Sequence, residues 1–206
     1  MQRAAAKRAP ERRFRAQQKS GPMAPSAVPV TAIPITEVLV VADIWQSEPR
    51  AEAVIQRAIE AACMMVDGLM VDRLTGGSGL GAAELAIMLT DDAGIRTLNS
   101  NWRGIDKPTN VLSFPALPPS GRSGPDDAPR MLGDIAIAFQ TTLSEAREEQ
   151  KPFDHHLSHL AVHGFLHLIG YDHETDDEAV AMETLEQNIL AQLGIPDPYA
   201  DRERTD

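Results

Sequence analysis

Residues 154–173 read DHHLSHLAVHGFLHLIGYDH, and all six histidines of the chain lie between positions 155 and 173. The stretch predicts a helix over about Asp154–Ile169, stopped by Gly170, a residue suited to the left-handed conformation that ends helices. His163 and His167 are four apart, so they share one helical face with about 6 Å of rise between them. At that spacing two imidazoles converge on one zinc ion. His159 extends the stripe but sits roughly 12 Å from His167 along the axis. With Zn–N bonds of about 2.0 Å it cannot reach the shared ion. The third ligand must therefore come from off the helix, and the bend at Gly170 returns His173 to the same point.

Three protein ligands leave a fourth coordination position open, as catalytic zinc centres do, and one Zn2+ per chain is expected. Zinc lowers the pKa of a coordinated water from about 15.7 to about 7. Zinc proteases of the metzincin type place Glu, their general base, directly after the first histidine. Here that position is Gly164. Glycine inside a helix costs about 1 kcal/mol relative to alanine, so close packing or substrate approach is expected there. The metal geometry survives without the protease's base, and peptide hydrolysis becomes the weaker reading.

Working outward, a helix over roughly Thr141–Gln150 precedes this one. Another follows over about Asp176–Leu193, ended by Gly194 and Pro196. Strands are expected at Ile35–Trp45, Glu84–Thr90, Asn110–Phe114 and Leu132–Phe139. A further helix begins near Ser47-Glu48-Pro49, with an apolar stripe at Val54, Ile55, Ala58, Ile59 and Ala62. A short helix capped by Asp91-Asp92 runs to about Trp102. Gly76–Gly79 breaks the chain, and Ala116–Arg130 is a Pro/Gly-rich loop. Four strands and about five helices, without regular βα alternation, predict a single α+β domain with a four-stranded mixed sheet. The zinc site would sit on a C-terminal helix and the turn after it.

The chain has 206 residues and a net charge of −11. Residues 1–22 carry seven Lys and Arg against one acid, which leaves the remainder acidic by 17. So acidic a body counts against an extensive nucleic-acid footprint; any RNA contact should use a small positive patch. The basic start lacks the apolar core of a secretory signal and is expected to be disordered through residue 34, with Met23 an alternative start. The domain is expected over 35–196, with a tail over 197–206. No apolar run is long enough to cross a bilayer, so no membrane partner is expected. The single cysteine, Cys63, can form no internal disulfide and reads as a buried helical thiol, consistent with a reducing cytoplasmic compartment.

From His163 to His173 the chain resembles the YbeY family of bacterial endoribonucleases, whose signature HGxLHLxGYDH it matches in full. A second agreement runs through Leu98-Asn99, Trp102-Arg103 and Asp106–Pro115, and a third is Gly133-Asp134-Ile135. Together they cover most of residues 84–190. Many members have Asp where this chain has Asn110, and Tyr is more common than Trp102; neither change touches the expected ligands. The resemblance implies a zinc-dependent single-strand endoribonuclease that matures the 3′ end of 16S rRNA and serves ribosome biogenesis and quality control. It implies an rRNA precursor as substrate, the ribosome or ribosomal proteins as partners, and no DNA. It implies zinc on His163, His167 and His173, and a contribution to activity from Arg103. A guanidinium suits that task, because it holds a phosphate bidentately and opposes developing negative charge. Lys107 is a further phosphate contact, or a solvated loop lysine. Asp134 and Asp172 orient an imidazole or cap turns, His159 faces substrate or is structural, and His155 and His156 read as surface residues. Two rivals are a metzincin-like metalloprotease and a non-catalytic ribosome-assembly factor whose zinc is structural.

Overall fold

Buried and half-buried residues alternate along Ala83–Thr90 (β2), the pattern of a strand covered more completely on one face than on the other. In a computed structural model, which describes residues 33–74, 83–116 and 130–200, β2 lies inside a four-stranded sheet. The other strands are β1 (Ile35–Val40), β3 (Val111–Pro115) and β4 (Arg130–Ala138), in the order β1-β2-β4-β3. β1, β2 and β4 run parallel, and β3 returns antiparallel to β4 at the edge. Five helices complete the described residues: α1 (Ala51–Leu74), α2 (Asp92–Arg103), α3 (Phe139–Glu148), α4 (Phe153–Leu168) and α5 (Asp176–Gln192). This is the α+β architecture with a mixed sheet that the order of elements implied. The expected basic N-terminal tail through residue 32, the Gly76–Gly79 break, loop positions 117–129 and the final residues 201–206 lie outside the described residues.

The main core fills one face of the sheet. Leu85, Ile87 and Leu89 of β2 and Ile135 and Ile137 of β4 pack with Ile55 and Ile59 of α1, Leu157 and Phe165 of α4, and Ile189 of α5. Each such side chain contributes about 1.5–3 kcal/mol relative to exposure. Alternate residues of β3 and β4, namely Leu112, Ala136 and Ala138, form a smaller cluster with Ile95 of α2. Because successive strand residues face opposite ways, α2 and α4 lie on opposite faces of the sheet.

β1 is shorter than the apolar run to Trp45 suggested. After Val40 the chain tightens into a 3₁₀ turn, Asp43–Ser47, which carries Trp45 into the core at 2% exposure. The indole Nε1 donates to the Thr90 carbonyl at 2.7 Å and the ring meets Phe139 edge-on. Anchoring one large side chain this way satisfies its polar atom as well as its apolar surface, which a continued edge strand would not. Cys63 is buried, as expected. No helix among the described residues is long and apolar enough to cross a membrane.

Two glycines seat α4 on the sheet. At Gly164 an added Cβ would lie 3.0 Å from Ile135 Cγ2 and 3.2 Å from Ser113 Oγ. The Ser113 hydroxyl donates to the Gly164 carbonyl at 3.2 Å. Close packing is therefore the reason for a glycine inside this helix. At Gly133, φ is +137° and a Cβ would stand 2.2 Å from the Phe114 carbonyl oxygen and 3.0 Å from Leu168 Cδ2. The β2–β4 register slips beside it, pairing Glu84 with Met131 but Leu85 with Gly133, so Leu132 is the extra residue of a bulge.

Candidate metal centre

The C-terminal end of α4 is shaped by Gly170, whose φ is +92°. Its N–H donates to the His167 carbonyl at 3.1 Å, and the Tyr171 N–H reaches back to the Leu166 carbonyl at 3.0 Å. This pair of bonds is the Schellman arrangement, which satisfies carbonyls left open at the helix end and reverses the chain. After the reversal the Asp172 carboxylate accepts from the backbone N–H of His173 at 2.9 Å. Thr175 and Glu178 then form a reciprocal capping box that starts α5.

The reversal brings the three histidines together. One nitrogen from each of His163, His167 and His173 lies within 4.8 Å of the others. The His163 and His167 Nε2 atoms are 3.1 Å apart. Two ligands at about 2.0 Å in a tetrahedral site stand about 3.3 Å from each other. The Nδ1 atoms of both rings already have acceptors: Glu186 Oε1 at 2.8 Å for His163 and the Tyr171 carbonyl at 3.0 Å for His167. When the rings are neutral, those acceptors place the proton on Nδ1 of each, which leaves two Nε2 lone pairs facing each other. Such an arrangement is repulsive alone and favourable around a cation. The donor set, three imidazole nitrogens without thiolate, suits zinc among several transition metals.

Two groups at the site have shifted proton affinities. Burial, together with the charges of His163 and His173, holds the His167 imidazole below its ordinary pKa against the opposing pull of Asp172 and the Tyr171 carbonyl. Burial alone would raise the pKa of Glu186, but hydrogen bonds and charge from His159 and His163 outweigh it and bring the value down to about 2. Glu186 is therefore a carboxylate, although its side chain has no exposed surface. Asp172 stays 4.0 Å from His167 Nδ1, too far for a hydrogen bond.

A cleft of about 800 Å³ opens beside the histidines, lined by His159, His163, His173, Glu186 and Tyr199. The same cleft is also lined by Glu145, Glu148, Glu149 and Glu183, with Lys151 among them. His156, expected at the surface, is buried with Nε2 2.8 Å from Glu145 Oε2, which also accepts from Asn110 Nδ2 at 2.9 Å. The first turn of α4 packs against α3, and that contact removes His156 from solvent.

Arg103 stands apart from the cleft, exposed in the last turn of α2. Among the described residues it makes no side-chain hydrogen bond or ion pair, and it does not line the histidine cleft. The loop after it is braced by Asn99, whose amide donates to the Lys107 carbonyl at 2.8 Å, and by a bidentate Arg96–Asp106 pair. Lys107 is exposed on that loop, and Trp102 is 72% exposed with its ring edge against Phe114.

Glu186 touches the histidines but was not among the residues expected at the site. Its signal was present: it falls in the apolar stripe Met182, Leu185, Glu186, Ile189, Leu190 of α5, where a carboxylate must find a partner. Tyr199 carried no comparable signal.

Known proteins resemble this chain over most of its length. The profile of the family described as Endoribonuclease YbeY matches residues 46–194. A protein named Endoribonuclease YbeY from Bradyrhizobium sp. is 69% identical over 179 residues, covering 87% of this chain and 100% of the relative. Relatives of the same name from Rhodopseudomonas palustris and Nitrobacter hamburgensis are 70% and 64% identical. They cover 84% and 96% of this chain, and 94% and 96% of their own lengths. A solution structure from Thermotoga maritima is 21% identical, covering 77% of this chain and 91% of that one, with a TM-score of 0.48.

Proposed function

The chain belongs to the YbeY endoribonuclease family, and on that premise we propose that it is a zinc-dependent nuclease cutting single-stranded RNA. Its task would be maturation of the 3′ end of 16S rRNA, within ribosome biogenesis and quality control in the cytoplasm. The observation that carries the proposal is the convergence of His163, His167 and His173 beside an open cleft. Zinc held there supplies Lewis-acid polarisation of a phosphoryl oxygen and a nucleophile at neutral pH.

The chain's own residues divide the remaining work by charge. The carboxylates of the cleft repel a phosphate backbone, so RNA would approach from the side that carries Arg103 and Lys107. Arg103, exposed and making no side-chain hydrogen bond or ion pair among the described residues, is suited to grip an RNA phosphate and oppose its negative charge. Trp102 offers an unpaired base a stacking face, a contact that favours single strands. Gly164 gives no support to peptide hydrolysis, since even a Cβ at that position meets Ile135 and Ser113.

The test is precursor 16S rRNA in cells whose only copy is Arg103→Ala. Accumulated unprocessed 3′ ends are expected. Normal maturation at normal protein level would favour the assembly-factor reading, in which zinc is structural. A cyclic phosphate on the cleaved product would assign attack to the ribose 2′-hydroxyl, and its absence to water.

A further inference from the structure

Ile195–Tyr199 runs back from the end of α5 toward the histidines. The Lys151 ammonium donates to the Pro198 carbonyl at 2.7 Å, and the Asp197 carboxylate accepts from the Tyr199 N–H at 2.8 Å and the Gln187 amide at 3.3 Å. Held this way, Tyr199 donates its hydroxyl proton to Glu186 Oε2, and its ring meets His159 edge-on at 5.5 Å. His159 Nε2 lies 3.2 Å from the same carboxylate oxygen, while Glu186 Oε1 accepts from His163 Nδ1. Both oxygens of a fully buried carboxylate are thus engaged, one by the metal-facing histidine and the other by a residue past the expected end of the domain.

We propose that Tyr199 and Glu186 are positioning residues of the metal centre: the C-terminal segment clamps the carboxylate, and the carboxylate fixes His163 with Nε2 toward the metal. The inference rests on the three-histidine reading and deepens it. It moves the working boundary of the domain beyond residue 196. Carboxylates that hold a ligand imidazole by its second nitrogen fix both its tautomer and its rotation, and their loss costs about 10–100-fold in metal affinity.

The test is zinc affinity of the full chain by competition with a chromophoric chelator, alongside the His163 tautomer read from ¹⁵N–¹H long-range spectra of the zinc-free protein. Glu186→Ala should weaken zinc binding about 10–100-fold and let His163 sample the Nε2–H form. Glu186→Gln, whose amide oxygen still accepts from Nδ1, should recover part of that affinity. Tyr199→Phe should lose about fivefold, the equivalent of one hydrogen bond of about 1 kcal/mol. If Glu186→Ala fails to fold, the Gln and Phe variants carry the test. Unchanged affinity in the folded Gln and Phe variants would overturn the clamp while leaving the three-histidine site standing. A wild-type chain that binds zinc no better than His167→Ala would overturn both.

Discussion

Replacing Gly133 by alanine should be among the most damaging single-methyl additions to this fold. Two independent costs arise there. The backbone at φ +137° lies where L residues are strained, worth about 1–3 kcal/mol. The new Cβ would also stand 2.2 Å from the Phe114 carbonyl oxygen of β3 and 2.9 Å from the nitrogen of Ala116 just after it, backbone atoms that cannot rotate away. Overpacking of this kind costs about 1–3 kcal/mol. Together they give about 2–6 kcal/mol, a large share of the roughly 5–15 kcal/mol that holds a domain together. With a urea m-value of about 2 kcal/mol/M, the unfolding midpoint should fall by about 2 M. Gly194→Ala is the control: φ is +71° but nothing lies within 4 Å of its Cβ, so only about 1–2 kcal/mol of backbone strain is expected. If circular dichroism shows Gly133→Ala unfolding at the same urea concentration as Gly194→Ala, the steric part of the reasoning is wrong.

Other outcomes follow from the site. His167 has its pKa lowered in the folded chain, so below about pH 6.5 the unfolded state takes up the proton first and stability falls with pH. The melting temperature of the zinc-free chain should therefore drop on acidification from pH 7 to 5, and a rise would contradict the assigned environment. Protons also compete with the cation, so zinc affinity should weaken over the same interval, as equilibrium dialysis would measure. Arg103→Ala should lower RNA cleavage by about 10²–10³-fold while leaving zinc content unchanged, and equal losses of both would place Arg103 in the fold instead. Trp45 is buried and Trp102 exposed, so quenching of intrinsic fluorescence by an unstructured oligoribonucleotide, lost in Trp102→Phe, should report base stacking.

Much of this was legible in the sequence because it rests on local rules. The spacing of His163 and His167 is a property of any helix, and Gly170 is where a helix must stop if His173 is to return. The stops at Gly170 and Gly194 appear as the same two-bond reversal, each with positive φ. What was not legible depends on distant parts of the chain. The run through Val41 and Ile44 to Trp45 has no local mark that separates an edge strand from a 3₁₀ turn; the Thr90 carbonyl that receives the indole decides it. His156 follows a helix start, where exposure is common, and only the approach of Glu145 on α3 buries it. Tyr199 lies beyond a helix stop and a proline pair, and its role exists only because Lys151 and Gln187 draw that segment back. Glu186 was readable in principle, as a charge on an apolar stripe, but its partners lie on α4 and in the segment after α5.

The most direct measurement is cleavage of a single-stranded rRNA fragment by three preparations of equal concentration: zinc-loaded protein, chelator-stripped protein, and His167→Ala. Cutting by the first, loss in the second with recovery on adding zinc, and none in the third is the expected pattern. Cutting by stripped protein and by His167→Ala as fast as by the zinc-loaded protein, in preparations shown free of other nucleases, would mean that the three imidazoles do not carry the chemistry.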